Sequence, residues 1–253
     1  IQYILSKCIK PKIIPKLDFH NGIPKEYTTM VVIPTILQNK EKVQEIFNKL
    51  ETYYIANKSE NLYFTLLGDC TSSKNEFEKI DDEIINSGID IVNKLNEKYP
   101  NTELQKYNFV YRNRIWNANE ECYLGWERKR GLLNQFNEYL LGNINNPFRV
   151  NTFEKKQKNE CEEKKYPVFK YVITLDSDTD LVINTGFELI GAMAHILNVP
   201  IIDTKNNVVV DGYGIMQPRI GINLDVCRKS IFTKIYAGSG GTDSYTNAIS
   251  DVY

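Results

Sequence analysis

Residues 171–180 read YVITLDSDTD, an apolar run that ends in three carboxylates, Asp176, Asp178 and Asp180, at alternate positions. In an extended segment alternate side chains share a face, which puts Asp176 and Asp178 side by side. Hard divalent cations take carboxylate oxygen, and Mg²⁺ usually keeps waters and completes its shell with substrate phosphates. A buried strand running out into clustered acid is costly unless a cation neutralises it. The expected chemistry is therefore metal-assisted handling of a diphosphate, as in an enzyme that uses a nucleotide sugar.

Two other uses of the acids fail on the letters. An EF-hand loop needs Gly at its sixth position and Glu at its twelfth; counted from Asp176 these are Leu181 and Phe187. A phosphatase motif of the Asp-x-Asp-x-Thr/Val kind would need Thr or Val where Asp180 stands. A solvated acidic loop, or carboxylates capping the helix expected to start near Asn184, remains the bland alternative, because Asp-x-Asp alone is a weak signal.

The elements that must position these acids follow from periodicity. Residues 28–35, 62–67, 107–111 and 169–175 are short apolar runs that read as strands. Between them lie amphipathic patterns: Val43, Ile46, Phe47, Leu50 and Tyr54, then Ile85, Ile89, Val92 and Leu95, then residues 127–141 and 185–197. A further strand region is expected from Val208 through Met216. Strands alternating with helices predict an α/β fold, a mostly parallel sheet covered on both faces. Such sheets bind ligands at the carboxyl ends of their strands, where both Asp69 and the acids of residues 176–180 fall. Residues 1–28, with Pro11, Pro15, Pro24 and several lysines, read as an extended lead-in, and 142–167, rich in Asn, Lys and Glu, as a surface insertion in a domain over 29–253.

Composition excludes more than it selects. A formal charge of −1 gives no global pull toward nucleic acid, and no apolar window is long enough to cross a bilayer. The five cysteines have no zinc-site spacing, which suits a reducing compartment. His195, inside an apolar helix pattern, reads as a structural histidine. Trp116 and Trp126 could stack on sugar rings or pack in the core. Gln217 and Arg219 alternate on an extended segment and could contact donor sugar or acceptor. The chain starts at an isoleucine and stops in mid-pattern, as a piece of something longer would.

The letters around these residues carry a family resemblance: residues 17–19 (LDF) with 22–24 (GIP), 29–35 (TMVVIPT), 125–131 (GWERKRG), 171–178, 193–195 (MAH), 212–219 (GYGIMQPR) and 250–253 (SDVY). In this order they resemble the glycosyltransferase domain of cyclic β-1,2-glucan synthases, large bacterial inner-membrane proteins; residues 142–167 match nothing in it. The resemblance implies a GT-A (Rossmann-like) fold, incomplete at the C-terminus, and an inverting, processive glucosyltransferase that uses UDP-glucose with Mg²⁺ or Mn²⁺ to extend a glucan acceptor. It also implies a cytoplasmic-face location, with membrane association through flanking segments. A GT-A-like scaffold or interaction module without catalysis is the alternative.

By resemblance, Asp176 and Asp178 hold the metal, and Asp180 either orients a metal-bound water or is a solvated loop acid. Asp69 would lie near the uracil or ribose. Arg128, Lys129, Arg130 and Gly131 precede Leu132, Leu133 and Asn134 and resemble a Lys-x-Gly-x-Leu-Asn segment. There a helix N-terminus and cations favour a diphosphate, with Lys129 foremost and Arg130 beside it. An inverting transfer needs a general base. Asp243 and Asp251 are the last acids in the chain, and the resemblance puts the base beyond Tyr253. The chain alone is then expected to bind UDP-glucose weakly or not at all and to make no polymer.

Overall fold

A computed structural model describes residues 14–101, 104–153 and 169–218. They divide into two compact units, one of residues 18–190 and one formed by the described residues up to 17 and from 191 onward.

In the larger unit, strand β1 (Thr29–Ile36), helix α1 (Lys40–Ala56), β2 (Leu62–Asp69), helix α2 (Lys79–Lys98) and β3 (Tyr107–Arg112) alternate as the periodicity requires. A short hairpin, β4 (Ile115–Asn117) and β5 (Cys122–Leu124), leads to helix α3 (Arg128–Leu140), strand β6 (Phe148–Asn151), strand β7 (Tyr171–Thr174) and helix α4 (Thr185–Ala194), of which the residues up to 190 belong to this unit. The sheet order is β6-β3-β2-β1-β7. β1, β2, β3 and β7 run parallel, and β6 runs antiparallel to β3. The expected α/β class, with its mostly parallel sheet, is what the structure has.

β2 and β3 are buried along their whole length, so their sequences are mostly apolar and show no regular apolar–polar alternation. Successive side chains still divide between two faces. Met30, Val32, Tyr63, Leu67 and Val110 pack with Leu132, Phe136 and Tyr139 of α3. On the other face Phe47 of α1 meets Phe109 edge-on, and Tyr54 meets Phe64. Burying large apolar side chains on both faces, at roughly 1.5–3 kcal/mol each, is what makes the layering stable.

Caps fix the helix starts. The Asn39 side chain accepts from the Lys42 amide at α1, and Glu78 and Asp81 form a reciprocal capping box at α2. Asn184, the expected cap of α4, is instead left-handed (φ 61°). The Gly186 amide donates to the buried Asn57 Oδ1 at 2.9 Å, so the cap comes from the end of α1.

Three expectations need correction. The segment 142–167 is not wholly a surface insertion, because Phe148–Asn151 pairs with β3 and Phe148 is buried against Phe136 and Tyr139. The strand before the acids is not a buried one: β7 pairs with β1 alone among the described residues and is only half-buried. Within the lead-in, Lys25–Tyr27 forms a 3₁₀ turn and Phe19 and Ile23 are buried, so this part belongs to the packed unit.

In the smaller unit, β8 (Ile201–Asp203) and β9 (Val208–Asp211) form an antiparallel hairpin. The strand expected from Val208 to Met216 ends at Asp211. His195 Nδ1 accepts from the Leu197 amide at 3.2 Å, capping a 3₁₀ turn, a structural role as expected. No described helix is long and apolar enough to cross a membrane.

Candidate functional site

The chain runs β1, β2, β3 outward in one direction and then returns to place β7 on the other side of β1, so the order reverses at β1. Such a reversal leaves a crevice at the carboxyl ends of the flanking strands. Asp69 closes β2 in register with Ile36 of β1, while Thr174 of β7 is in register with Val32. Asp176 and Asp178 therefore follow β7 alongside the last turns of β1, on the same edge as Asp69. Arg112 ends β3 at this edge, where the ladder to β6 shifts register between Tyr111 and Arg112.

Helix α3 starts at this edge. The turn that starts it holds two successive non-glycine residues in the left-handed region, Glu127 at φ 48° and Arg128 at φ 50°. Each costs of order 1–3 kcal/mol and persists only where its surroundings over-determine it. Arg112 supplies that constraint: its guanidinium donates to the carbonyls of Trp126 and, at 2.9 Å, Arg128. Sequence reasoning missed Arg112. Its signal was a lone charge closing a fully buried strand, the same signal by which Asp69 was found.

Asp69 and Arg112 form a buried ion pair, 2% and 1% exposed, with Nη1 and Oδ2 3.5 Å apart. That is too far for a hydrogen bond, and Asp69 Oδ2 and Arg112 Nε are left without partners. Asp69 Oδ1 accepts from the Cys70 amide at 2.9 Å. Burial pushes the Asp69 carboxyl above its usual value, and Arg112 only partly pulls it back. Burial likewise lowers Arg112. Gly125 lies directly against this carboxylate: a Cβ there would be 2.1 Å from Oδ1. Gly131 is similarly forced, its Cβ position lying 2.0 Å from the Trp126 carbonyl oxygen. The glycines of the GWERKRG run are thus close-approach glycines, and Asp69 is covered by backbone.

Lys129, in the first turn of α3, forms an ion pair with Asp176 Oδ1; the two side chains are 48% and 58% exposed. This brings together two residues expected at one site. Arg128 turns the other way, donating to Ser72 Oγ at 2.7 Å and to the Cys70 carbonyl at 3.4 Å. Arg130 pairs with Glu127 and is 80% exposed. Asp180 accepts from Tyr53 Oη at 2.9 Å and lies 3.7 Å from Lys49 of α1, so it anchors its loop. Tyr53 and Lys49 also donate to the carbonyls of Thr179 and Ser177. Asp178 is exposed and makes no hydrogen bond or ion pair among the described residues. All three acids face solvent, so burial does not force a cation on them as the sequence argument supposed. Among the described residues no three His, Cys, Asp or Glu side chains converge as a ready metal cluster. Two carboxylates at a strand end suit a cation whose other ligands are phosphate and water.

Of the remaining expected residues, Trp126 is 46% exposed beside Gly131, and Trp116 is 50% exposed, edge-on to Tyr123 at 5.1 Å. Neither is a core residue. Gln217 is exposed and lies in the smaller unit. Arg219, Asp243 and Asp251 lie outside the described residues. A cavity of about 850 Å³ opens at the opposite, amino edge of the sheet, near Tyr54, Asn61, Tyr99 and Lys106. Its buried Lys106 already donates to the carbonyls of Ser59, Glu60 and Leu62, and burial lowers its ammonium to about 8.

Over 245 residues, 96% of the chain, the sequence is 32% identical to the cyclic beta-(1,2)-glucan synthase NdvB of Rhizobium meliloti (strain 1021). The chain is similar to a segment of a cyclic β-1,2-glucan synthase. That is the resemblance its motifs imply. The chain spans about 8% of the length of this synthase. No family model matches the chain. The similarity covers the carboxyl edge throughout, from β1 to the residues after β7, so the edge is part of what the chain and this segment of the synthase have in common.

Proposed function

We propose that the chain is the donor-binding part of a metal-dependent, inverting glucosyltransferase that uses UDP-glucose to extend a β-1,2-linked glucan. The observation that carries this reading is the meeting of the α3 N-terminus, through Lys129, with Asp176 at the point where the sheet order reverses. A helix N-terminus with a cationic first turn suits a diphosphate, and the carboxylate of Asp178, without a partner among the described residues, lies two residues away from Asp176. A relative described as a glucan synthase supports the sugar-transfer chemistry and the glucan acceptor.

In this reading Asp176 and Asp178 hold the cation, and Lys129 binds the diphosphate. A bound divalent ion offsets charge on the departing UDP. Asp180, tied to Tyr53 and Lys49, fixes the loop that carries the pair. Asp69 and Arg112 define the nucleoside end, Arg112 holding the turn that presents Lys129. Asp69 can touch a nucleoside only when Gly125 moves aside. Trp126, exposed beside the helix start, offers a face to the sugar ring.

Calorimetry with UDP and Mn²⁺ tests the proposal. Metal-dependent heat that Asp178→Ala abolishes is the expected result, and its absence overturns the reading. One observation favours the alternative, a GT-A-like scaffold: the carboxylate of Asp69 is covered by Gly125 and serves Arg112. A scaffold gives no metal-dependent heat.

A further inference from the structure

The three acids after β7 have three different fates. Asp180 is held by Tyr53 and Lys49, Asp176 is paired with Lys129, and Asp178 has no partner among the described residues. We propose that Lys129 is an internal stand-in for the cation: without ligand its ammonium neutralises Asp176, and it passes to the diphosphate when nucleotide and metal arrive, so the two ligands bind cooperatively. The inference rests on the metal–diphosphate reading of this edge.

A divalent ion arriving alone finds Asp178 open but must compete with an ammonium for Asp176. A diphosphate removes that competition, because it offers the Lys129 ammonium a more highly charged partner at the helix N-terminus where that ammonium already sits. Neither neighbouring cation can substitute. Arg128 is committed to Ser72 and the Cys70 carbonyl, and Arg130 to Glu127. The flexible stem and compact charge of lysine suit a group that changes partners, where a forked guanidinium suits a fixed one. Binding linkage is reciprocal, so the nucleotide must tighten the metal by the same factor as the metal tightens the nucleotide.

The test is calorimetry of Mn²⁺ alone, UDP alone and both together, on the chain itself and on Lys129→Met and Asp178→Ala. Both substitutions are at exposed positions and leave the core untouched. In Lys129→Met, Mn²⁺ alone should bind about two- to fivefold tighter, the weight of an exposed ion pair. The factor by which UDP enhances Mn²⁺ binding should shrink accordingly. Unchanged or weakened Mn²⁺ affinity in Lys129→Met, with the Asp178→Ala effect intact, overturns the stand-in role and leaves the metal site standing. No Mn²⁺ heat sensitive to Asp178→Ala in any combination overturns the metal–diphosphate reading and this inference with it.

Discussion

Arg112 is the residue whose removal should be felt most at the carboxyl edge. In Arg112→Met the Asp69 carboxylate, 2% exposed, loses the cation it is paired with, and the carbonyls of Trp126 and Arg128 lose their donor. Breaking a buried pair from one side costs about 3–5 kcal/mol, because the remaining charge is left buried and uncompensated. A domain of this kind has about 5–15 kcal/mol in total, so the loss is a large share of it. The left-handed turn at Glu127 and Arg128 also loses its constraint, and its relaxation at the start of α3 offsets part of that penalty. Urea unfolding followed by far-ultraviolet circular dichroism reads the loss directly. The partner experiment is Asp69→Asn, alone and combined with Arg112→Met. With the charge gone, Arg112→Met should cost less by about 1–3 kcal/mol, the coupling expected of residues in contact. Arg112→Lys should fall between wild type and Arg112→Met, since an ammonium cannot reach both carbonyls as a fork does. A cost below about 1 kcal/mol for Arg112→Met, or strict additivity in the cycle, would show that the pair is solvated and that the turn is held by something else.

Further outcomes follow from the same geometry. Gly125→Ala should fold poorly or shift the turn before α3, because its Cβ would stand 2.1 Å from Asp69 Oδ1; loss of the cooperative unfolding transition or a lowered melting temperature checks it. Asp178→Ala should leave the melting temperature unchanged, since the side chain is exposed and unpartnered among the described residues, while removing metal-dependent nucleotide binding. Asp81 is fully buried and accepts from Tyr111 and Arg114. Burial raises its carboxyl, but these hydrogen bonds outweigh burial and hold it below its usual 3.8. Its contribution is therefore present above pH 3.8 and lost as pH falls through the lowered folded value, so Asp81→Asn should flatten the acid limb of a stability–pH curve. Asp69 has the opposite sign: its folded value is raised, so its contribution is fully present below 3.8 and is lost as pH rises through the raised folded value, and Asp69→Asn should remove that decline.

The sequence by itself determined the layering and the edge. Short, mostly apolar runs at β1, β2 and β3, separated by three- and four-residue periodicities, permit little but parallel strands covered by helices, and Asp69 and the acids after β7 could then fall only at carboxyl ends. It also carried the resemblance to the glucan synthases in short runs such as GWERKRG, whose glycines are required by backbone approach. What it did not carry is anything set by sequence-distant pairing. Phe148–Asn151 looks like part of a polar insertion because only one of its faces meets Tyr139 and Phe136, and β7 looks buried because a strand that pairs on one side among the described residues can be as apolar as a central one. Arg112 went unread in the letters, because its task, holding the turn before α3 through the carbonyls of Trp126 and Arg128, exists only once β3 and α3 are packed together. The acids looked alike in the letters, yet Asp180 is taken by α1, Asp176 by α3, and Asp178 by neither. Local propensity and pattern record which face a residue belongs to; which partner meets it there depends on how separate elements pack, and that only the tertiary structure decided.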